Sequence, residues 1–184
     1  CPDCTPSEVH TVIGISEAML DRMGWAFHQS GGLCLGIAPG TIPISTGALS
    51  LLIPSVEDVT WGEDRPMAIE LVPSLPPTFE VGEGTDDDPL LTLTMEQVSI
   101  DMYTWAWDRW VRIMRITTDL MVYLNLDAVS GAIDVNIDGL DVQNMTITDS
   151  DLLTEDPAGL AMSLEALLGT IAGPMLGNVA SVEI

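Results

Sequence analysis

The 184-residue chain contains no lysine, and its five basic residues, all arginine, face 28 acidic residues. The formal net charge of -23 repels phosphate backbones and anionic membrane surfaces, because both need cationic partners. Nucleic acid is therefore not expected as a ligand. The acidity alone favours solubility, or salty surroundings in which charge is screened.

Histidine is almost as scarce, and the chain lacks the usual catalytic motifs. The two histidines are His10, near the N-terminus, and His28, on the polar side of a predicted helix. Neither GxSxG, HExxH nor a phosphate-binding glycine loop occurs. We therefore predict no enzymatic activity, no catalytic residue and no cofactor.

Long hydrophobic runs are also missing. No stretch of 18 or more apolar residues occurs, so the sequence predicts no membrane-spanning helix. Hydrophobic residues nevertheless make up 47% of the chain. This length and composition suit one domain with a sizeable core, or one domain of a longer chain.

The three cysteines allow more than one interpretation. Cys1 and Cys4 form a CxxC, but no second CxxC or suitably spaced histidine makes it a zinc site. A Cys4–Cys34 disulfide would suit an exported protein. Cys1 would then be left over, either as the lipid-anchored first residue of a processed bacterial lipoprotein or as an accident of where the chain begins.

One segment matches only the first part of a calcium-binding loop. The segment "DVNIDG", Asp134 to Gly139, resembles the start of an EF-hand loop. Asp141 then occupies the usual apolar position, and Met145 stands where a bidentate glutamate is required. We predict no metal site, and interpret the segment as a strand with an acidic solvent face.

A short amphipathic helix opens the structured part of the chain. Ser16 is a good N-cap, and the pair Gly31-Gly32 marks the end. At 100° per residue, one face collects Met19, Leu20, Met23, Ala26 and Phe27.

Strand-like alternation follows. "LCLGI", "ALSLLI" and "MAIELV" are predicted strands, and a phase slip near Glu96-Gln97 predicts a β-bulge in a longer one. A hairpin turn is expected between Ala106 and Arg109. The next long strand turns at Ser130-Gly131 into an antiparallel partner.

The C-terminal part is predicted to be a long apolar helix. Asp156 can cap it, Pro157 suits its first turn, and Pro174 kinks or ends it. Its apolar stripe consists of Leu160, Leu164, Leu167, Leu168, Ile171 and Met175.

Tryptophan and methionine provide two further signals. "MYTWAWDRW" places Trp105, Trp107 and Trp110 at the predicted hairpin tip. Such residues suit a membrane interface, but aromatic packing across strands is the commoner arrangement in sheets and is the favoured interpretation. The ten methionines fit either a surface for flexible acyl chains or a methionine-rich core.

The order of segments resembles the C-terminal half of the bactericidal/permeability-increasing protein (BPI) family, in the tubular lipid-binding (TULIP) superfamily. The resemblance rests on "ISEAMLDRMGWAFHQSGGL", on "IPIST", on the diproline of "LPPTF", and on the long hairpin "ITTDLMVYLNLDAVSGAIDVNIDGLDV". It covers the chain from about residue 12 onward, so we assign 1–11 as a tail or linker and 12–184 as the BPI-like domain.

This resemblance implies an α+β super-roll: a long, strongly curved antiparallel sheet wrapped around a long apolar helix, with a short N-terminal helix. It also implies a tunnel for a phospholipid or other acyl lipid. The positions that match its lining are Met19, Met23, Phe27, Leu160, Leu164, Leu167, Ile171 and Met175.

The resemblance further implies a lipid-binding or lipid-transfer module that is extracellular or in a bacterial cell envelope. Transient membrane contact and pairing with a second TULIP half or in a homodimer are expected. The near absence of basic residues argues against the endotoxin binding of some members. The alternative is a structural or protein-interaction module whose core is filled with side chains.

Overall fold

Long antiparallel strands dominate the computed structural model, which describes residues 14–39, 45–85, 87–129, 132–165 and 181–183. The helices are α1 (Glu17–Gln29), α2 (Thr46–Leu49), α3 (Val56–Thr60) and α4 (157–165). The strands are β1 (Leu35–Ile37), β2 (Met67–Pro73), β3 (Thr78–Val81), β4 (Leu91–Ala106), β5 (Arg109–Val129), β6 (Ala132–Thr148) and β7 (Ser181–Glu183).

All seven described strands belong to one antiparallel sheet. Its order is β1-β2-β4-β5-β6-β7, and β3 pairs with β4 beside the stretch that pairs with β2. The predicted α+β class with long antiparallel strands is confirmed at this level. The long apolar helix stays a prediction, because only residues 157–165 of it are described. The strong curvature of the sheet also stays a prediction.

One predicted strand is wrong. The segment "ALSLLI" (48–53) overlaps α2 and the turn after it, not a strand. Ser45 caps α2 by accepting a hydrogen bond from the Ala48 N–H, at 3.5 Å. Leu49 and Ile53 are both buried, and their spacing of four residues places them on one side of a helical turn. Burial at that spacing prevails over the strand-like composition.

The predicted bulge is confirmed and has a partner on the other side of β5. The register of β4 slips between Met95 and Val98, and that of β6 slips around Asn144. Asp119 of β5 holds both irregularities: its carboxylate accepts from the Gln97 backbone N–H at 2.8 Å and from Asn144 Nδ2 at 2.7 Å. These hydrogen bonds lower the pKa of Asp119, the Gln97 bond most.

The packed core occupies one end of the sheet. α2, α3 and α4 cover it there, burying mainly Leu49, Ile53, Val56, Val59, Met102, Ile113, Met114, Ile116, Met145, Ile147, Leu160 and Leu164.

A set of hydrogen bonds joins the N-cap of α3 to the loop before α4. Glu155 accepts from the Ser55 N–H at 2.9 Å and also from its hydroxyl, which in turn accepts from the Thr154 N–H. Burial alone would raise the pKa of Glu155, but these bonds outweigh it and lower that pKa.

Candidate functional site

The far end of the same sheet face is apolar but not packed to the same degree. Directly paired residues on antiparallel strands share a face, and the pairs Leu93–Val122 and Val122–Leu140 continue the core side beyond the bulges. We call this the apolar face. It includes Leu91, Leu93, Met95, Val122, Leu124, Leu140 and Val142, all half-buried, of which Val142 also packs against the core.

Helix α1 stands at the edge of the apolar face. It packs on β3 through Gly24, which is buried and close to Pro77 and the ring of Phe79. Phe79 pairs with Leu93 and therefore lies on the apolar face. Two polar contacts fasten the helix: Asp21 accepts from the Phe79 N–H at 2.9 Å, and His28 Nε2 lies 3.2 Å from the Pro73 carbonyl oxygen.

The apolar stripe of α1 is not the side that docks on β3. Met19, Met23 and Phe27 are 45–55% exposed. Trp25, on the other flank of the helix, lines a cavity of about 500 Å³ with Thr78 and Thr94, whose side chains belong to the opposite face of the sheet. Helix geometry thus leaves the methionine stripe on the flank away from that cavity.

The eight predicted lining residues fall into three groups. Met19, Met23 and Phe27 form the exposed stripe of α1, whereas Leu160 and Leu164 are buried in the packed core. Leu167, Ile171 and Met175 lie outside the described residues. The structure thus does not bring the first two groups together. Their role in lining a tunnel stays a prediction.

The three predicted tip tryptophans do lie at the end of a hairpin. Trp107 and Asp108 form its two-residue turn, both with positive φ, as the primed turns of tight hairpins require. Trp105 and Trp110 pair across the strands edge to face, with ring centroids 5.6 Å apart. Trp107 and Trp110 are 48% and 41% exposed, so membrane contact stays a prediction beside the cross-strand packing that is present.

Sequence reasoning missed two parts of this arrangement. Trp61, after α3, lies beside the tip and is 80% exposed; the only signal for it was a tryptophan before a glycine. The apolar face was visible as alternation along β4 and β5, but not as a surface separate from the packed core.

The remaining cysteine and metal predictions are not settled. Cys34 is exposed and unpaired among the described residues, and Cys1 and Cys4 lie outside them. The "DVNIDG" segment is part of β6, as its strand interpretation predicted. Within the described ranges, no three His, Cys, Asp or Glu side chains are placed to hold a metal ion, and no helix is long and apolar enough to span a membrane.

Helix α1 can be released by filling the space beside Gly24. A Cβ there would lie 2.8 Å from both Phe79 Cε2 and Pro77 Cγ, and the proline ring cannot turn away. We expect Gly24→Leu to cost about 1–3 kcal/mol of stability through overpacking and to speed tryptic cleavage after Arg22. Met23→Leu, on the exposed stripe, is the control. Equal cleavage of the two variants would show that α1 does not depend on this contact.

The described residues form a mostly antiparallel sheet with a few helices, as in a BPI-like fold. The structure is similar to the crystal structure of lipopolysaccharide binding protein, with a TM-score of 0.53 and 14% sequence identity. The match covers 100% of this chain and 42% of that chain. No protein-family model matches the sequence, and no curated protein does. At this identity the likeness concerns the fold alone.

Proposed function

We propose that the chain is a non-enzymatic lipid-binding or lipid-transfer module, which holds acyl chains against the apolar face beside α1. The observation that carries this proposal is the continuation of the core side of the sheet into seven half-buried apolar side chains. Acyl chains would gain roughly 0.8 kcal/mol per buried methylene there.

Three further features support this proposal. The BPI-like fold is shared with a protein whose name states that it binds lipopolysaccharide. The exposed Met19 and Met23 are flexible apolar side chains, suited to ligands of variable shape. The net charge of -23 favours a neutral or zwitterionic lipid over an anionic one. An exported location, and pairing with a second TULIP half or in a homodimer, belong to the same proposal.

Native mass spectrometry of the purified chain, followed by solvent extraction of its ligand, tests the function directly. We expect an acyl lipid at a defined stoichiometry, or uptake after incubation with mixed phospholipids. A mass that stays bare in both experiments would contradict lipid binding. The domain would then be a structural or protein-interaction module.

A tryptophan at Met23 discriminates between these two functions. Met23 is 45% exposed, so the larger ring is tolerated by the fold but crowds a ligand lying along the stripe. We expect Met23→Trp to lose lipid while its thermal unfolding is unchanged. Leu164→Trp would not serve, because Leu164 is buried in the packed core and the change would cost stability under either function. Loss of stability in Met23→Trp would instead favour a core filled with side chains.

A further inference from the structure

A second cavity lies at the tip of the β4–β5 hairpin. It has a volume of about 300 Å³ and lies between the turn and the segment that follows α3. Three tryptophans, two carboxylates and one guanidinium contribute to its lining: Trp61, Trp105, Trp107, Glu63, Asp108 and Arg65. This volume is at the lower end of the roughly 300–1,000 Å³ typical of ligand pockets, so it suits a small polar molecule.

Two of these tryptophans stand where the backbone disfavours them. Trp61 and Trp107 have φ values of 62° and 50°, in the left-handed region, which costs a non-glycine residue about 1–2 kcal/mol. Glycine or asparagine is the usual residue at such positions. Burial does not compensate, because the two side chains are 80% and 48% exposed. Backbone strain at two tryptophans whose rings are exposed points to a binding role for those rings.

The charges around the cavity disfavour an anion that carries no positive group of its own. Arg65, its one lining cation, forms an ion pair with Glu63. Asp108 contributes a further carboxylate beside the rings. Aromatic faces next to carboxylates are suited to a quaternary ammonium, which has no N–H to satisfy and is attracted by the ring quadrupole. Arg65 can meanwhile accept a phosphate group as a second partner.

We propose that the tip cavity binds a phosphocholine-type zwitterion. The quaternary ammonium lies against Trp61 and Trp107 near Asp108, and the phosphate lies at Arg65. The tip lies apart from the apolar face along β4, where Leu93 and Trp105 are separated by 12 residues. The proposal is argued from the residues that line the tip cavity, so it does not depend on the proposed function.

Soluble probes test the tip cavity without any acyl chain. Isothermal titration should show phosphocholine binding at least tenfold more tightly than phosphoethanolamine or inorganic phosphate. The primary ammonium of phosphoethanolamine is more strongly hydrated and costs more to desolvate. Inorganic phosphate has no positive group and is repelled by the carboxylates of Glu63 and Asp108. Equal affinity for the three probes, or no binding of phosphocholine, would overturn the proposal.

Trp107→Asn separates a binding role from a structural one. Asparagine is favoured in this type of hairpin turn, so the variant should unfold at a higher temperature than the parent. Its affinity for phosphocholine should nevertheless fall at least tenfold. Trp25→Ala is the matched control, since Trp25 is a comparably exposed tryptophan on α1, away from the tip. Undiminished binding by Trp107→Asn, or equal loss in the control, would contradict the assignment.

Vesicles distinguish the source of the zwitterion. If the natural ligand is a membrane headgroup, the chain should bind phosphatidylcholine vesicles, free phosphocholine should compete, and phosphatidylglycerol vesicles should not be bound. Binding of free phosphocholine without vesicle binding would support the cavity and assign it a soluble ligand. A chain that binds neither probe has no such site, whatever lipid is found on the apolar face.

Discussion

Asparagine in place of Asp101 should lower the free energy of unfolding by about 3 kcal/mol, the scale of breaking a buried ion pair. Asp101 is only 4% exposed, on the side of β4 opposite the core. Arg115 donates to both of its oxygens, from Nε at 2.8 Å and from Nη2 at 2.7 Å, and Arg112 approaches at 3.4 Å. An asparagine offers one acceptor oxygen and turns an NH₂ group towards a guanidinium.

The effect of Asp101 should also depend on pH. Side-chain hydrogen bonds from Arg115 are the main reason that the pKa of Asp101 is lowered, against the opposing effect of burial. A lowered pKa in the folded state stabilises above the unfolded value of about 3.9 and loses that effect as the pH falls through the folded value. The difference in the free energy of unfolding between the parent and Asp101→Asn should therefore be largest at neutral pH and should shrink in strong acid. Urea unfolding across this range measures it.

Asp149→Asn is the control for the ion-pair network. Asp149 is also bonded to Arg112, at 2.7 Å, but its side chain is 46% exposed. Solvent screens such a pair, so its loss should cost less than about 1 kcal/mol. Equal destabilisation by the two substitutions would mean that burial of Asp101 is not what gives the network its strength.

Aspartate at Leu93 should reduce lipid loading by roughly 10- to 100-fold, the equivalent of 1.5–3 kcal/mol for one leucine-sized apolar contact. Leu93 lies in the middle of the apolar face, paired with Phe79 on one side and Val122 on the other. A carboxylate there would need to be desolvated beneath an acyl chain, which adds to the loss. Bound lipid per chain, extracted and counted for parent and variant, is the measurement.

Thr94→Asp provides a matched control for Leu93→Asp. Thr94 is the next residue on β4 and equally half-buried, but it pairs with Thr78 and Met121 on the opposite face. Lipid loading should be unchanged in this variant, and circular dichroism should show that both variants fold. Retention of lipid by Leu93→Asp, or its loss in both variants, would place the ligand elsewhere.

Local features of the fold could be predicted because each depends on a few neighbouring residues. Ser16 caps α1 by accepting from the Met19 N–H, the β4 bulge contains Gln97, and the hairpin turn is Trp107-Asp108, as the residue pattern indicated. The segment "ALSLLI" failed because its burial depends on α3 and α4. Those helices are close to the segment in the folded protein, but the alternation of residues within the segment does not indicate their presence.

The site was less predictable than the elements. The stripe of α1 was visible, but its docking residue is Gly24, which no hydrophobic pattern would select. The contact exists because Pro77 and Phe79, more than 50 residues away, leave space only for a glycine. The tip cavity likewise joins Trp61 to Trp107 across 46 positions of the sequence, a distance that only the pairing of β2 with β4 bridges.

The sequence by itself determined the caps, the turns, the alternation of the long strands and the order of segments that resembles the BPI family. These follow from backbone preferences and from short-range periodicity, which each segment carries alone. Tertiary structure decided which apolar residues are packed and which form the apolar face. Both groups lie on one side of the same strands, and among the described residues α2, α3 and 157–165 pack against only one of them.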